Sequence, residues 1–358
     1  MKNLLIQGNN LDALIFLRDK RGMAGKIDLV YIDPPFATGG EFRTDGNGRV
    51  ATISSSAKGI VAYSDKLKGA DFIEFLRERI TVIYDLLSDR GSFYLHIDYK
   101  IGHYVKVMLD GIFGIEYFRN DITRIKCNPK NFARVGYGNI KDMILFYTKG
   151  KNPIWHEPRI SMSEEEMSKL YSKVDKNGRR YTTVPIHAPG ETKDGLSSQK
   201  FKEMYPPPGR HWRCSVEELE ELDRQGLIEW SSKGNPRKIN YADEHLTKKL
   251  QDVWTFKDPM NPIYPTEKNH EMLRTIIKAS SDENSIVMDC FAGSGGTLVE
   301  ANRLNRKWIG VDQSETAITT IRKNLTENIP FMCDDSYDFV CLKESALVTA
   351  ARMGSDST

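Results

Sequence analysis

The stretch at 28–40, DLVYIDPPFATGG, limits what this chain can fold into more than any other part of it. Leu29, Val30, Tyr31 and Ile32 are apolar, with β-branched and aromatic members, and suit a short buried strand. Asp33-Pro34-Pro35-Phe36 then stops that strand, because two prolines cannot continue a hydrogen-bonded ladder. In open α/β sheets the chemistry sits at the carboxyl ends of such strands. There Asp33 offers one acceptor, the Pro34 carbonyl a second, and Phe36 a flat stacking surface. A planar base bearing an exocyclic amino group would use all three. A surface turn would use the same letters, since Asp and Pro dominate turns.

A second strand and turn appear at 285–314, SIVMDCFAGSGGTLVEANRLNRKWIGVDQS. Ile286, Val287 and Met288 run into Asp289, a glycine-rich turn follows at Gly293, Gly295 and Gly296, and a helix begins near Thr297. A tight turn between strand and helix lets backbone approach a bound cofactor closely. Trp308 to Val311 form another short strand, with Asp312 at its end, placed to accept from ribose hydroxyls. The pattern lacks the full dinucleotide fingerprint and the Lys-Ser/Thr ending of a phosphate loop. A cofactor with ribose but no phosphates is therefore favoured.

DPPF at 33–36, DCFAGSGGT at 289–297 and YPTEKN at 264–269 together resemble the amino-group DNA methyltransferases that use S-adenosylmethionine. Their order, catalytic motif first and cofactor motif last, resembles the permuted β group of that family. GNNLDAL near the start, HWRCS at 211–215 and DVW at 252–254 extend the likeness over most of the chain. The resemblance implies a Rossmann-like α/β fold, doubly wound and mostly parallel with one antiparallel strand, interrupted by a recognition region. It implies catalytic roles for Asp33, Pro34, Pro35 and Phe36. It places Asn9, Thr266, Lys268, Asp289, Phe291, Gly293, Gly295, Thr297 and Asp312 around the cofactor, with Thr266 and Lys268 near its methionine portion. Relatives usually carry an acidic residue where this chain has Asn9; an amide can still accept and also donate. A helix cap explains Asn9 equally well.

The expected domains are a catalytic half at 1–148, an inserted recognition region at 149–249, a cofactor half at 250–330 and an extension at 331–358. A chain of 358 residues supports a large core plus an insertion. Mean hydropathy is −0.48, no uncharged run is long enough to span a bilayer, and MKNLLIQGNNLD lacks a signal peptide's apolar segment. A cytoplasmic protein without membrane contact is expected. The net charge of +2 does not announce a nucleic-acid binder, so any phosphate contact must come from local patches. Five scattered cysteines lack metal-type spacing, which indicates reduced thiols and no metal site. Cys290 beside the glycine turn reads as a packed small hydrophobe.

Residues 37–68, rich in Gly, Ser, Thr and charge, read as a long loop past the catalytic strand, with Arg43 and Arg49 as candidate DNA phosphate contacts. His96 and Asp98 end the strand GSFYLHI and read as architectural, since this transfer needs no strong general base. The polar segment between the strands at 120–126 and 143–148 lies near the target pocket in related enzymes, with Asn128, Asn131 and Asn139 as candidates. In 149–249, PPPGRHWRCS carries Arg210, Trp212 and Arg213, a basic and aromatic cluster suited to DNA, and SSKGNPRKINY adds Lys233 and Lys238. Ser215 and Glu218 form a capping box for a helix at 216–224.

The expected activity is methyl transfer from S-adenosylmethionine to N6 of a flipped adenine in double-stranded DNA. DPPF favours adenine, where N4-cytosine enzymes of the family usually write SPPY. Cytosine N4, RNA, or an inactive DNA-binding scaffold are the alternatives. A cognate restriction endonuclease and a second copy of the chain are partners that the resemblance allows.

Overall fold

The computed structural model describes residues 1–35, 69–129, 135–192, 195–232, 234–259 and 267–342, with the backbone of 41–44 and 60–64. The chain divides into two compact units, Met1–Pro158 with Gln251–Thr358, and Arg159–Leu250. Residues 149–158 stay with the first unit.

The first unit is built on nine strands: β1 (Asn3–Gln7), β2 (Ile27–Ile32), β3 (Leu87–Ile97), β4 (Phe118–Ile125), β5 (Lys141–Thr148), β6 (Val253–Trp254), β7 (Ile286–Asp289), β8 (Lys307–Asp312) and β9 (Tyr337–Cys341). They form one sheet in the order β6-β4-β5-β3-β2-β7-β8-β1-β9. Only β5 runs against its neighbours; every other pairing is parallel. Among the described residues six helices flank it: α1 (Asn10–Asp19), α2 (Gly69–Leu86), α3 (Tyr99–Phe113), α4 (His270–Ser280), α5 (Gly296–Arg303) and α6 (Glu315–Asn328). This is the mostly parallel, doubly wound, Rossmann-like architecture expected from the motifs.

Alternation along β2 sorts the two faces. Val30 and Ile32 join Phe93 and Leu95 in one core with Leu14, Leu17, Leu76, Ile80, Val105 and Leu109 from α1, α2 and α3. Tyr31 and Tyr94 pair on the opposite face, where the Tyr94 hydroxyl meets Ser280 Oγ of α4 at 2.7 Å. Local chemistry sets the helix starts. Asn9 caps α1 by accepting from Leu11 N at 2.9 Å, and Asn269 caps α4 by accepting from Met272 N at 3.0 Å. Asp98, whose side chain accepts from Lys100 N, caps α3 and is architectural.

Two differences from the sequence reading concern strands. Glu41–Thr44 and Ile60–Ser64 pair antiparallel inside what reads as a continuous loop. The expected extension at 331–358 contributes an edge strand, β9, parallel to β1.

The second unit carries a four-stranded antiparallel sheet ordered Ile228–Trp230, Pro236–Tyr241, Arg180–Pro185, Lys173–Val174, and two short two-stranded ribbons. Its core gathers Ile186, Phe201, Trp212, Val216, Leu219 and Ile228. The helix Val216–Arg224 starts with the full Ser215 and Glu218 capping box. Among the described residues no helix is long and apolar enough to cross a membrane, and no group of three His, Cys, Asp or Glu could hold a metal.

Candidate active site

Strands β2, β7, β8 and β1 are neighbours, and each ends in a polar residue picked out by sequence: Asp33 after β2, Asp289 on β7, Asp312 on β8 and Asn9 after β1. The chain runs from β2 outward to β3 and returns from the far side to β7, so these carboxyl ends meet at a switch in strand order. That is where open α/β sheets hold ligands.

The glycine turn is built around its two aspartates. Thr297 Oγ1 donates to Asp289 Oδ2 at 2.7 Å, and Phe291 N donates to Asp289 Oδ1 at 3.0 Å. Gly293 N donates to Asp312 Oδ2 at 3.0 Å and Ser314 N to Asp312 Oδ1 at 2.9 Å. Gly295 lies in the left-handed region at φ 80°, and a Cβ there would stand 3.1 Å from Ile321, so both the turn and the approach to α6 require glycine. Burial pushes Asp289 up to about 7, assisted by the charges of Asp33 and Asp312 and opposed by the Thr297 and Phe291 donors. Burial likewise raises Asp312 to about 6 against its backbone donors. Each carboxylate oxygen has a second lone pair, so a ligand's hydroxyl or ammonium could still be accepted. Thr297 is buried and committed to Asp289; it shapes the turn. Burial also drives the Cys290 thiol up, which fits a packed and inert residue.

Asp33 is asymmetric. Its Oδ2 is ion-paired with Lys268 Nζ, the two side chains being 15% and 9% exposed. Its Oδ1 is buried with no hydrogen-bond partner among the described residues. An unpaired buried acceptor costs about 1–3 kcal/mol, so a donor brought to Oδ1 by a ligand would be favoured there. Lys268, expected beside the cofactor, is thus brought to the proposed catalytic carboxylate. Pro34 is buried and Pro35 half-buried after β2. Phe36, Thr266, Arg49, Lys233 and Asn131 lie outside the described residues, as does the side chain of Arg43.

A buried polar row crosses the sheet on the Asp33 face. Tyr31 Oη and His96 Nδ1 are 2.9 Å apart, and His96 Nε2 lies 3.2 Å from Asp142 Oδ2. Asp142 also accepts from Arg124 and from Lys126, the latter at 2.5 Å. With Asp142 accepting from Nε2–H, His96 is the neutral tautomer that accepts the Tyr31 hydroxyl at Nδ1. Burial lowers His96 further. His96 therefore supports β2 from β3, an architectural part reached through residues far apart in sequence.

Besides Asp142, three buried charged residues among the described ones escape a motif-based reading. Arg79 Nε donates to Asn10 Oδ1 at 2.6 Å, and its guanidinium lies 3.5 Å from the Phe75 ring centroid, which in turn packs against Phe291. Its signal was a charge inside the apolar stripe Phe72, Phe75, Leu76, Ile80, Ile83. Arg124 is the second. Glu300 is the third; on α5 it accepts from His270, Arg274 and Arg303.

In the second unit, Trp212 is 1% exposed and its Nε1–H donates to Gln199 O at 2.9 Å. It packs in that unit's core and presents no free face for stacking a base. Arg210 and Arg213 are exposed, and Arg210 Nη1 lies 3.1 Å from His187 Nδ1. Besides burial, Arg210, Arg213 and Arg237 all depress His187, which marks a local cationic patch around it. Lys238 is half-buried in the strand Pro236–Tyr241. In the first unit, Asn139 Oδ1 accepts from Lys141 N, and Asn128 Oδ1 from Lys257.

Comparison with known proteins identifies the family of the chain. Type II methyltransferase M.EcaI of Enterobacter cloacae is 40% identical over 304 residues, covering 83% of this chain and 64% of that protein. The type III restriction-modification enzyme StyLTI Mod subunit of Salmonella typhimurium is 25% identical over 362 residues, covering 91% of this chain and 53% of the subunit. The chain thus spans about half to two-thirds of the length of these relatives. Among solved structures, the M1.HpyAVI–SAM complex aligns over 90% of this chain and 100% of its own, at 15% identity and a TM-score of 0.47. Residues 27–323 match the DNA methylase family of N6 and N4 amino-group enzymes, and with most of its length inside that match, the chain belongs to this family.

Proposed function

We propose that this protein methylates the N6 amino group of an adenine flipped out of double-stranded DNA at a short defined sequence. The observation that carries the reading is Asp33: a carboxylate at the switch point, held on one oxygen, whose other oxygen is buried and has no donor among the described residues. S-adenosylmethionine is the methyl donor of the family; when bound, it supplies an electrophilic methyl on a sulfonium, and the electron pair of the broken bond stays on sulfur. The chain's own residues do the rest. Asp33 Oδ1 and the Pro34 carbonyl accept the two amino hydrogens and turn the nitrogen lone pair out of the ring's conjugation. Orientation and preorganised charge then supply the catalysis. The proton lost from the methylated nitrogen passes to Asp33 and on to water. Phe36 stacks on the flipped base.

The residues present fit the donor. The turn at Gly293 and Gly295, with Phe291, lets backbone come close, while Asp289, Asp312 and Asn9 offer acceptors to its ammonium and hydroxyl groups. DNA contact falls to the unit Arg159–Leu250 through Arg210, Arg213 and Lys238, with Lys233, Arg43, Arg49 and Asn139 as further contacts. The likeness to a restriction-modification subunit supports pairing with a cognate endonuclease, and a second copy of the chain is a further partner that the family resemblance allows.

Expression in a host free of DNA methylation, followed by sequencing for modified bases and mass analysis of nucleosides, tests the reading. N6-methyladenine at one sequence is expected. N4-methylcytosine would overturn the choice of base. A protein that binds DNA and labelled S-adenosylmethionine yet transfers no label is an inactive scaffold.

A further inference from the structure

Lys268 stands where two fixed pieces of backbone meet. On one side Asn269 caps α4 and its amide donates to Lys257 O at 2.9 Å. On the other, Glu267 is tied to His270, which is itself anchored on the buried Glu300. The capped start of α4 therefore positions the residue directly before it, and the ammonium that Lys268 carries is paired with Asp33 Oδ2. A single-point cation on one oxygen fixes the rotation of the carboxylate and leaves Oδ1 as an acceptor with no donor among the described residues. His96 and Tyr31 feel the charge of the same carboxylate from β3 and β2, burial favours the neutral form of both, and among the described residues Lys268 is the cation directly paired with it.

We propose that Lys268 is a positioning residue for methyl transfer: it holds Asp33 by Oδ2 so that Oδ1 meets the amino hydrogen of the target base. The inference rests on the function proposed above. It separates Lys268 from the cofactor's methionine portion and assigns it to the acceptor side of the reaction. It also accounts for lysine over arginine. An ammonium is a compact point donor, whereas a guanidinium engages both oxygens of a carboxylate in a fork and would occupy Oδ1.

The full-length protein and its Lys268→Met and Lys268→Arg variants are compared by calorimetric affinity for S-adenosylmethionine without DNA and by single-turnover transfer of labelled methyl to DNA at saturating cofactor. Label transfer by the unaltered protein tests the proposed function by itself, so its failure is visible before any variant is read. For Lys268→Met, transfer is expected to fall roughly 100-fold, the scale of a small misplacement of a reacting group. Its cofactor affinity should stay within about two-fold, because only transition-state positioning is lost. Lys268→Arg keeps the charge and, by forking onto both oxygens, should lose transfer to a similar degree with the same cofactor affinity. Weakened cofactor binding with an unchanged rate at saturation would return Lys268 to the cofactor and overturn the proposal. So would full activity of Lys268→Arg, which also decides the matter if Lys268→Met does not fold.

Discussion

Replacing Glu300 by glutamine should destabilise the sheet unit by about 2–3 kcal/mol near pH 6, and the deficit should depend on pH in a defined direction. Glu300 is fully buried and accepts from His270 Nδ1 at 2.9 Å, Arg274 Nε at 2.9 Å and Arg303 Nη1 at 2.8 Å. Although burial opposes ionisation, these partners hold its carboxyl at about 2 against an ordinary 4.5. At about 1.36 kcal/mol per pH unit, that favours the ionised form by about 3 kcal/mol. Arg274 and Arg303 are more than a third exposed, so solvent screening trims the figure toward about 2 kcal/mol. Hydrogen bonds to Glu267 and Glu300 raise His270 from 6.5 to about 9. That is partly the same bond seen from its other end, and the two energies are not added. Glu300 has a depressed value, so its contribution is present above about 4.5 and lost as pH falls through about 2. His270 has a raised value, so its contribution is present below 6.5 and lost as pH rises through about 9. The cluster is therefore complete between these limits. Urea denaturation of both proteins at about pH 5.5 and about pH 9.5 should show the gap narrowing on the alkaline side, with the arginine share remaining. A gap below about 0.5 kcal/mol at the lower pH, or one that widens on the alkaline side, would refute the reasoning.

Asp33→Ala should abolish methyl transfer while leaving affinity for S-adenosylmethionine mostly intact; equal loss of both in a folded variant would remove Asp33 from its assigned role. Asp289, raised to about 7 by burial, must ionise to receive a cationic cofactor, so affinity should rise with pH through that value. Calorimetry at about pH 6 and about pH 8 checks this, and Asp289→Asn should erase the dependence. Arg213→Ala should relax the preferred DNA sequence at a cost of about 1–3 kcal/mol in discrimination. Lys238→Ala should instead weaken binding to all DNA and flatten its salt dependence. Relative methylation rates over single-mismatch duplexes separate the two, and unchanged ratios for Arg213→Ala exclude it from base reading.

What could be read from the sequence alone was whatever rests on a residue's own covalent constraints. Pro34 and Pro35 end β2 because they lack N–H groups, wherever the strand lies. Gly295 marks a left-handed turn because a side chain there is strained. Ser215 and Glu218 announce a helix because their reach is three residues. Tertiary structure alone decided which distant side chains meet. Trp212 reads from sequence as part of a DNA-contacting cluster, and only the packing of Ile186, Phe201 and Leu219 around it places it in a core instead. Lys268 lies one motif away from the cofactor turn, yet the placement of β2 between β3 and β7 delivers Asp33 to it. The row from Tyr31 through His96 and Asp142 to Arg124 spans four strands whose order the linear chain does not state. A charge's partner is set by that order, which leaves no local trace in the amino-acid pattern even where, as at Arg79, the pattern hints at burial.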